Sequence, residues 1–188
     1  MKRLFLQSLR LTVVFTILVG VIYPLVITGV AQLAFRAKAN GSLIDRDGKI
    51  IGSELLAQQF TGEKYFWPRP SAGSYATVPS GVSNLGPTSA ALQSNVVARA
   101  AAIRAANKLP ADATVPADLL FTSGSGLDPH VSPEAARLQV ARVASARGVS
   151  EEPITALVEK LIEPPQLGFL GEPRVNVLLL NLALDQRK

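Results

Sequence analysis

His130 is the only imidazole in the chain, and it stands two residues after Asp128 in the run Ser123-Gly124-Ser125-Gly126-Leu127-Asp128-Pro129-His130. An acid, a base and two hydroxyls this close together invite a nucleophilic reading, in which Ser123 or Ser125 attacks and His130 takes the proton. Two features oppose it. The Gly-x-Ser-x-Gly elbow that exposes a hydrolase serine is absent, and Asp-Pro-His sets acid and base closer in sequence than the usual triad arrangement. A membrane-anchored extracytoplasmic hydrolase using His130 is therefore the alternative function. The competing reading is a local polar lock: Asp128 accepts from nearby backbone amides in an Asx-type turn, Pro129 stiffens it, and His130 packs its ring.

One His and no Cys exclude His-pair zinc motifs, thiolate metal sites and disulfides. No catalytic residue and no metal site are expected. The Ser/Gly run 123–126 invites anion binding at a helix N-terminus, but it lacks Gly-x-x-x-x-Gly-Lys-Ser/Thr and the third glycine of a dinucleotide fingerprint. A tight turn leading into a capped helix is the competing reading. Trp67 and Arg69, each next to a proline, read as a stacked pair in a rigid loop or as a hot-spot pair at a partner interface.

Several elements must position these groups. Leu43-Ile44 and Ile50-Ile51 flank Asp47-Gly48, which predicts a hairpin with a tight turn. Ser53 then reads as the cap of a short helix from Glu54 to about Phe60. From Thr61 to Pro87, prolines at 68, 70, 79 and 87 are interleaved with glycines and with Tyr65, Phe66, Trp67 and Tyr75, which predicts a long ordered loop. A helix follows under Thr88 or Ser89, reaching about Lys108, with Leu92, Val96, Ala100 and Ile103 as its inner stripe. Val115 to Thr122 reads equally as a strand or a turn. Ser132, Pro133 and Glu134 open a helix that ends at Gly148, with Arg142 and Arg147 near its C-terminal end, and Ser150 opens another over Glu151 to Ile162. Val175 to Leu184 reads as a central strand, apolar on both faces. Together these predict an α+β domain, with α/β as the alternative.

The chain divides by charge into three parts: a flank (1–10), a 25-residue run without a formal charge (Leu11 to Phe35), and a mixed-charge domain (36–188). The run is long enough for a tilted transmembrane helix and exceeds the core of a cleavable signal peptide. Within it Thr12, Thr16, Gly20, Pro24 and Thr28 recur every fourth position, a ridge on which another helix can pack closely, although threonine hydroxyls can also bond back within their own helix. Pro24 removes a backbone donor toward the Gly20 carbonyl, which predicts a kink. The lipid bilayer is thus a partner. Lys2, Arg3 and Arg10 do not outnumber the basic residues just after the span, so charge alone does not orient it. A short N-terminal flank ahead of a long domain predicts a cytoplasmic N-terminus and an extracytoplasmic domain. Past residue 35, sixteen basic residues face fourteen acidic ones, which leaves no nucleic-acid patch.

Four segments, in order along the chain, resemble the KdpC family of the Kdp potassium-transporting ATPase. They are Tyr65-Phe66-Trp67-Pro68-Arg69-Pro70-Ser71-Ala72, Ser83-Asn84-Leu85-Gly86-Pro87-Thr88, Ser123 to Ala136, and Gly171-Glu172-Pro173-Arg174-Val175-Asn176-Val177-Leu178. The resemblance implies a non-catalytic accessory subunit of a bacterial high-affinity potassium pump in the inner membrane. Its implied partners are a channel-like potassium-binding subunit, a P-type ATPase subunit and a small hydrophobic subunit. It also implies a catalytic chaperone that raises the ATP affinity of the ATPase subunit, with no tightly bound cofactor of its own but ATP shared through Ser80, Gly81, Ser83, Asn84 and Gly86. Val82 stands where the family usually has a second Gly, and Ser89-Ala90 where Asn-Pro is common. A valine narrows backbone freedom and projects into a phosphate cradle. An extracytoplasmic domain would act on ATP only indirectly, by biasing partner conformations.

Overall fold

The computed structural model describes residues 1–186, and its contacts divide the chain into two units, Met1–Ser53 and the residues from Glu54 onward. In the first unit α1 (Lys2–Ile17), a π-helical segment (Leu18–Ile22) and α2 (Tyr23–Ala34) run end to end. No residue of this apolar helix is buried within the chain. Its 33 residues, about 50 Å at the usual helical rise, fit a single-pass membrane anchor. The disturbance expected at Pro24 takes the form of a widened turn. The Tyr23 N–H donates to the Leu18 carbonyl, one residue further back than in an α-helix, and the π segment ends just ahead of the proline.

After a short α3 (Arg36–Ala39), β1 (Leu43–Arg46) and β2 (Lys49–Ser53) form the hairpin. Asp47 and Gly48 both take positive φ (57° and 76°), as a two-residue turn of this hand requires, and the Asp45 carboxylate accepts the Gly48 N–H at 2.9 Å. The helix expected under Ser53 does not form. Ser53 ends β2, and its hydroxyl donates to the Gly41 carbonyl at 2.6 Å, so it is committed to the hairpin.

In the second unit, residues 61–87 contain neither helix nor strand. Then α4 (Ala90–Ala106) begins where Ser89 Oγ accepts the Leu92 N–H, with Ala100 and Ile103 buried and Leu92 and Val96 half-buried. The ambiguous stretch after Val115 holds one helical turn, α5 (Ala117–Leu120), entered from Pro116. A two-residue strand, β3 (His130–Val131), precedes α6 (Pro133–Leu138), whose first turn is capped by Ser132 Oγ accepting from Ala135 N–H. The single helix expected to run on to Gly148 is divided at Gln139. There the Gln139 N–H bonds back only three residues to Ala136, a tighter turn, and α7 (Val140–Arg147) starts afresh. Gly148 at φ 67° ends it, and α8 (Glu151–Lys160) and β4 (Ile162–Glu163) follow.

Val175 to Leu184 is not a strand. Only β5 (Arg174–Asn176) is extended, and Val177–Gln186 is helical, α9. Asn176 turns the chain by accepting the Leu179 N–H on its side-chain oxygen at 3.1 Å, an N-cap, and burial at Val177, Leu180, Asn181 and Leu184 follows a helical period. An apolar run without alternation suits a core helix as well as a central strand. β5 still occupies the centre of an antiparallel sheet in the order β3-β5-β4. Against it packs one apolar core that includes Val131, Val143, Val158, Val175, Leu180 and Leu184, and it also takes in Phe66 from the long loop. Between β4 and β5 the chain makes a locked turn. Gln166 and Leu170 exchange backbone hydrogen bonds at 2.9 Å each, with Leu167 and Gly168 at φ 54° and 83°.

Candidate functional site

The segment Tyr65 to Ser71 has no regular structure, so its backbone polar groups need partners from elsewhere. Side-chain amides supply them on its inner side. Asn181, on α9, accepts the Phe66 N–H at 2.8 Å and donates to the Phe66 carbonyl at 3.0 Å. Gln139, at the α6/α7 break, does the same for Trp67, at 2.7 Å and 3.3 Å. Each amide thus imitates a neighbouring strand across one residue, and the Phe66 ring is fully buried in the core.

Arginines of α7 complete this inner side. The Arg142 guanidinium lies over the Trp67 ring, 4.1 Å from its centroid, and donates to Asn107 Oδ1, Gln139 Oε1 and the carbonyls of Glu63 and Tyr65. Burial pushes its pKa down to about 10, opposed by the Glu63 carboxylate, so it stays charged at neutral pH. Arg147 donates to the Lys64 carbonyl and to Asp185, which also accepts the Tyr65 hydroxyl. Trp67 and Arg69 are therefore not a stacked pair; the cation on the Trp67 ring is Arg142. Arg142, placed by sequence only near a helix end, is buried, with its donors spent in the interior.

Arg69 turns the other way. Its Nη1 donates to Asp128 Oδ2 at 2.8 Å, while Asp128 Oδ1 accepts the His130 N–H at 3.0 Å and lies 3.4 Å from His130 Nδ1. The structure brings Arg69, Asp128 and His130 together on the wall of an open cleft of about 1060 Å³. Burial raises the Asp128 pKa, but the side-chain and backbone hydrogen bonds from His130 and the Arg69 guanidinium together outweigh it and hold the carboxyl at about 2. Asp118, also on this cleft, accepts the Ser132 N–H at 2.6 Å and the Ser132 hydroxyl at 3.2 Å. In an antiparallel pair alternate residues turn their N–H groups away from the partner strand; the N–H of His130 in β3 and that of Ser132 just past its end are received by Asp128 and Asp118 instead.

No nucleophile is poised here. Ser123 Oγ is nearly buried and accepts the Asp128 N–H, Ser125 Oγ accepts the Leu127 N–H, and Ser132 Oγ serves Asp118 and Ala135. Among the described residues no serine hydroxyl is bonded to His130, and none of their His, Asp and Glu side chains cluster in threes as a metal would need. The arrangement orients an imidazole and neutralises charge.

Ser80, Gly81, Ser83, Asn84 and Gly86 lie on the long loop, mostly exposed, with Asn84 at φ 54°. This loop packs on the other Ser/Gly run. A Cβ on Gly126, itself at φ 71°, would stand 2.8 Å from the Gly81 carbonyl oxygen, so only glycine fits, and a Cβ on Gly124 would touch the Val82 side chain at 4.0 Å. Thr12, Thr16, Gly20, Pro24 and Thr28 lie in the first unit. There the π segment adds roughly one residue to a turn and reduces the winding of this ridge from roughly 160° to roughly 60° over its length. Sequence reading missed Gln139, Arg142 and Asn181. The available signal was a lone amide inside an apolar run, as in Leu178-Leu179-Leu180-Asn181-Leu182, which in a core must have a partner.

From residue 5 to residue 186 the chain matches the family described as "K+-transporting ATPase, c chain". It is 56% identical over 190 aligned residues to the potassium-transporting ATPase KdpC subunit of Rhodospirillum rubrum, an alignment covering 100% of this chain and 97% of that one. It is 50% identical over 188 residues to the KdpC subunit of Mycobacterium tuberculosis, covering 99% and 100%, and 51% identical over 182 residues to that of Geobacter sulfurreducens, covering 95% of each.

Proposed function

Because this chain belongs to the KdpC family of potassium-transporting ATPases, we propose that it is a non-catalytic accessory subunit that stabilises an ATP-driven potassium uptake complex. Its partners are a channel-like potassium-binding subunit, a P-type ATPase subunit and a small hydrophobic subunit. The observation that carries the reading is the division of labour in the chain. An apolar helix buries nothing within the chain, and the domain commits Arg69 and His130 to Asp128 and Ser132 to Asp118 instead of to a reaction centre. The helix holds the protein in the bacterial inner membrane with the N-terminus cytoplasmic and the domain (36–188) extracytoplasmic. Thr12, Thr16, Gly20, Pro24 and Thr28 form the packing ridge, more nearly one-sided for its π turn.

The chain also acts as a catalytic chaperone, raising the ATP affinity of the ATPase subunit. In that orientation the effect is indirect: the domain binds one conformation of its partners more tightly and shifts their equilibrium. Ser80 to Gly86 is the segment of this loop that the coupling involves. The test is potassium-stimulated ATP hydrolysis by the complex purified with and without this chain. Loss of the chain raises the KM for ATP; an unchanged KM in an intact complex sinks the chaperone role. Tagged chain that brings down none of the other subunits sinks the accessory role.

A further inference from the structure

The turn between β4 and β5 is the most conspicuous feature that this reading leaves unused. Pro164 to Gly171 carries no charge, and its tip exposes three large apolar side chains: Leu167 (83% exposed), Phe169 (74%) and Leu170 (49%). The tip is not slack. The paired Gln166–Leu170 hydrogen bonds, reinforced by Gly168 N–H to the Pro165 carbonyl and Phe169 N–H to the Gln166 carbonyl, fix one conformation. Leu167 adopts a left-handed φ of 54°, strained for a branched side chain, to present the apolar groups outward. Apolar side chains carried on a fixed backbone lose less freedom when a pocket receives them than those of a slack loop.

Charge selects the kind of partner. Insertion into a bilayer would draw the carboxylates of Glu163 and Glu172, which bound this turn, toward the apolar layer at a desolvation cost, whereas a protein pocket can offer a cation. Glu163 is neutralised within the domain by Arg174, with Nε 3.0 Å from its carboxylate. Among the described residues no cation pairs with Glu172, which leaves a negative charge at the root of an apolar finger.

We infer that Leu167, Phe169 and Leu170 form a docking finger that inserts into an apolar pocket of another subunit of the same ATPase, with a Lys or Arg of that subunit receiving Glu172. This rests on the accessory-subunit reading and adds the surface through which the domain engages its partner.

The test uses the assembled complex in native membranes, with the photo-cross-linker benzoylphenylalanine in place of Phe169. Irradiation is expected to join this chain to another subunit of the ATPase. Cross-linking to lipid alone, or to nothing, overturns the finger. A second measurement reads the other subunits recovered with the tagged chain. The double substitution Leu167→Asp with Phe169→Asp, both at exposed positions, is expected to lower recovery at least about tenfold at equal levels of the chain in the membrane. Glu172→Arg is expected to lower it by about two- to fivefold. Wild-type recovery from both variants overturns the finger while leaving the accessory role intact; absence of recovery with the unaltered chain overturns that role as well.

Discussion

Two neighbouring stretches of one loop, Phe66-Trp67 and Arg69 with its partners, are held by opposite means. Phe66 and Trp67 are fixed by neutral amides and a ring-stacked guanidinium against the core, where the bonds to Phe66 are buried and those to Trp67 partly so, which limits competition from water. Arg69 is fixed by ions at the rim of a cleft, its side chain 26% and that of Asp128 30% exposed, where solvent weakens the attraction. The inner anchorage should therefore dominate stability and be insensitive to acid, and the outer one should contribute less and titrate as pH falls.

Phe66→Ala attacks the inner side most directly. It empties a fully buried site and is expected to cost about 3–5 kcal/mol, read as a lowered unfolding midpoint of the full chain in detergent. Asn181→Leu keeps the branched shape but strips the Phe66 N–H and carbonyl of their partners, for an expected loss of about 2–4 kcal/mol. A midpoint equal to wild type would mean that the amide clasp contributes nothing. Asp128→Asn on the outer side is expected to cost roughly 1 kcal/mol or less at neutral pH. Its signature is the acid limb. The folded Asp128 carboxyl sits at about 2 against an ordinary 3.8, so its contribution is complete above about pH 4 and disappears as pH falls toward 2. The variant should lose less stability than wild type across that window; identical acid limbs would remove Asp128 from the account.

What the residues alone made legible was local. Ser89 and Ser132 announce α4 and α6, Gly148 closes α7, and Asp47-Gly48 turns the hairpin, because each of these effects acts within a few residues. The failures came where tertiary contacts decided. Ser53 found an acceptor twelve residues earlier, Arg142 found Trp67 across the fold, and Val177 to Gln186 chose helix because Asn176 caps it and the core accepts its leucines. Of the cleft, the nearness of Asp128 and His130 was readable from their spacing. The arrival of Arg69, 59 residues away, was not.

The carboxylates on the β3 edge carry one more implication. An open strand edge is a template on which any extended peptide can add itself, through backbone bonds that ignore sequence. By holding the amides of His130 and Ser132, Asp128 and Asp118 close that template with side chains instead of with a further strand. An edge closed in this way is poorly suited to recruit a neighbour by generic pairing, and a partner docking there must be recognised by shape and charge.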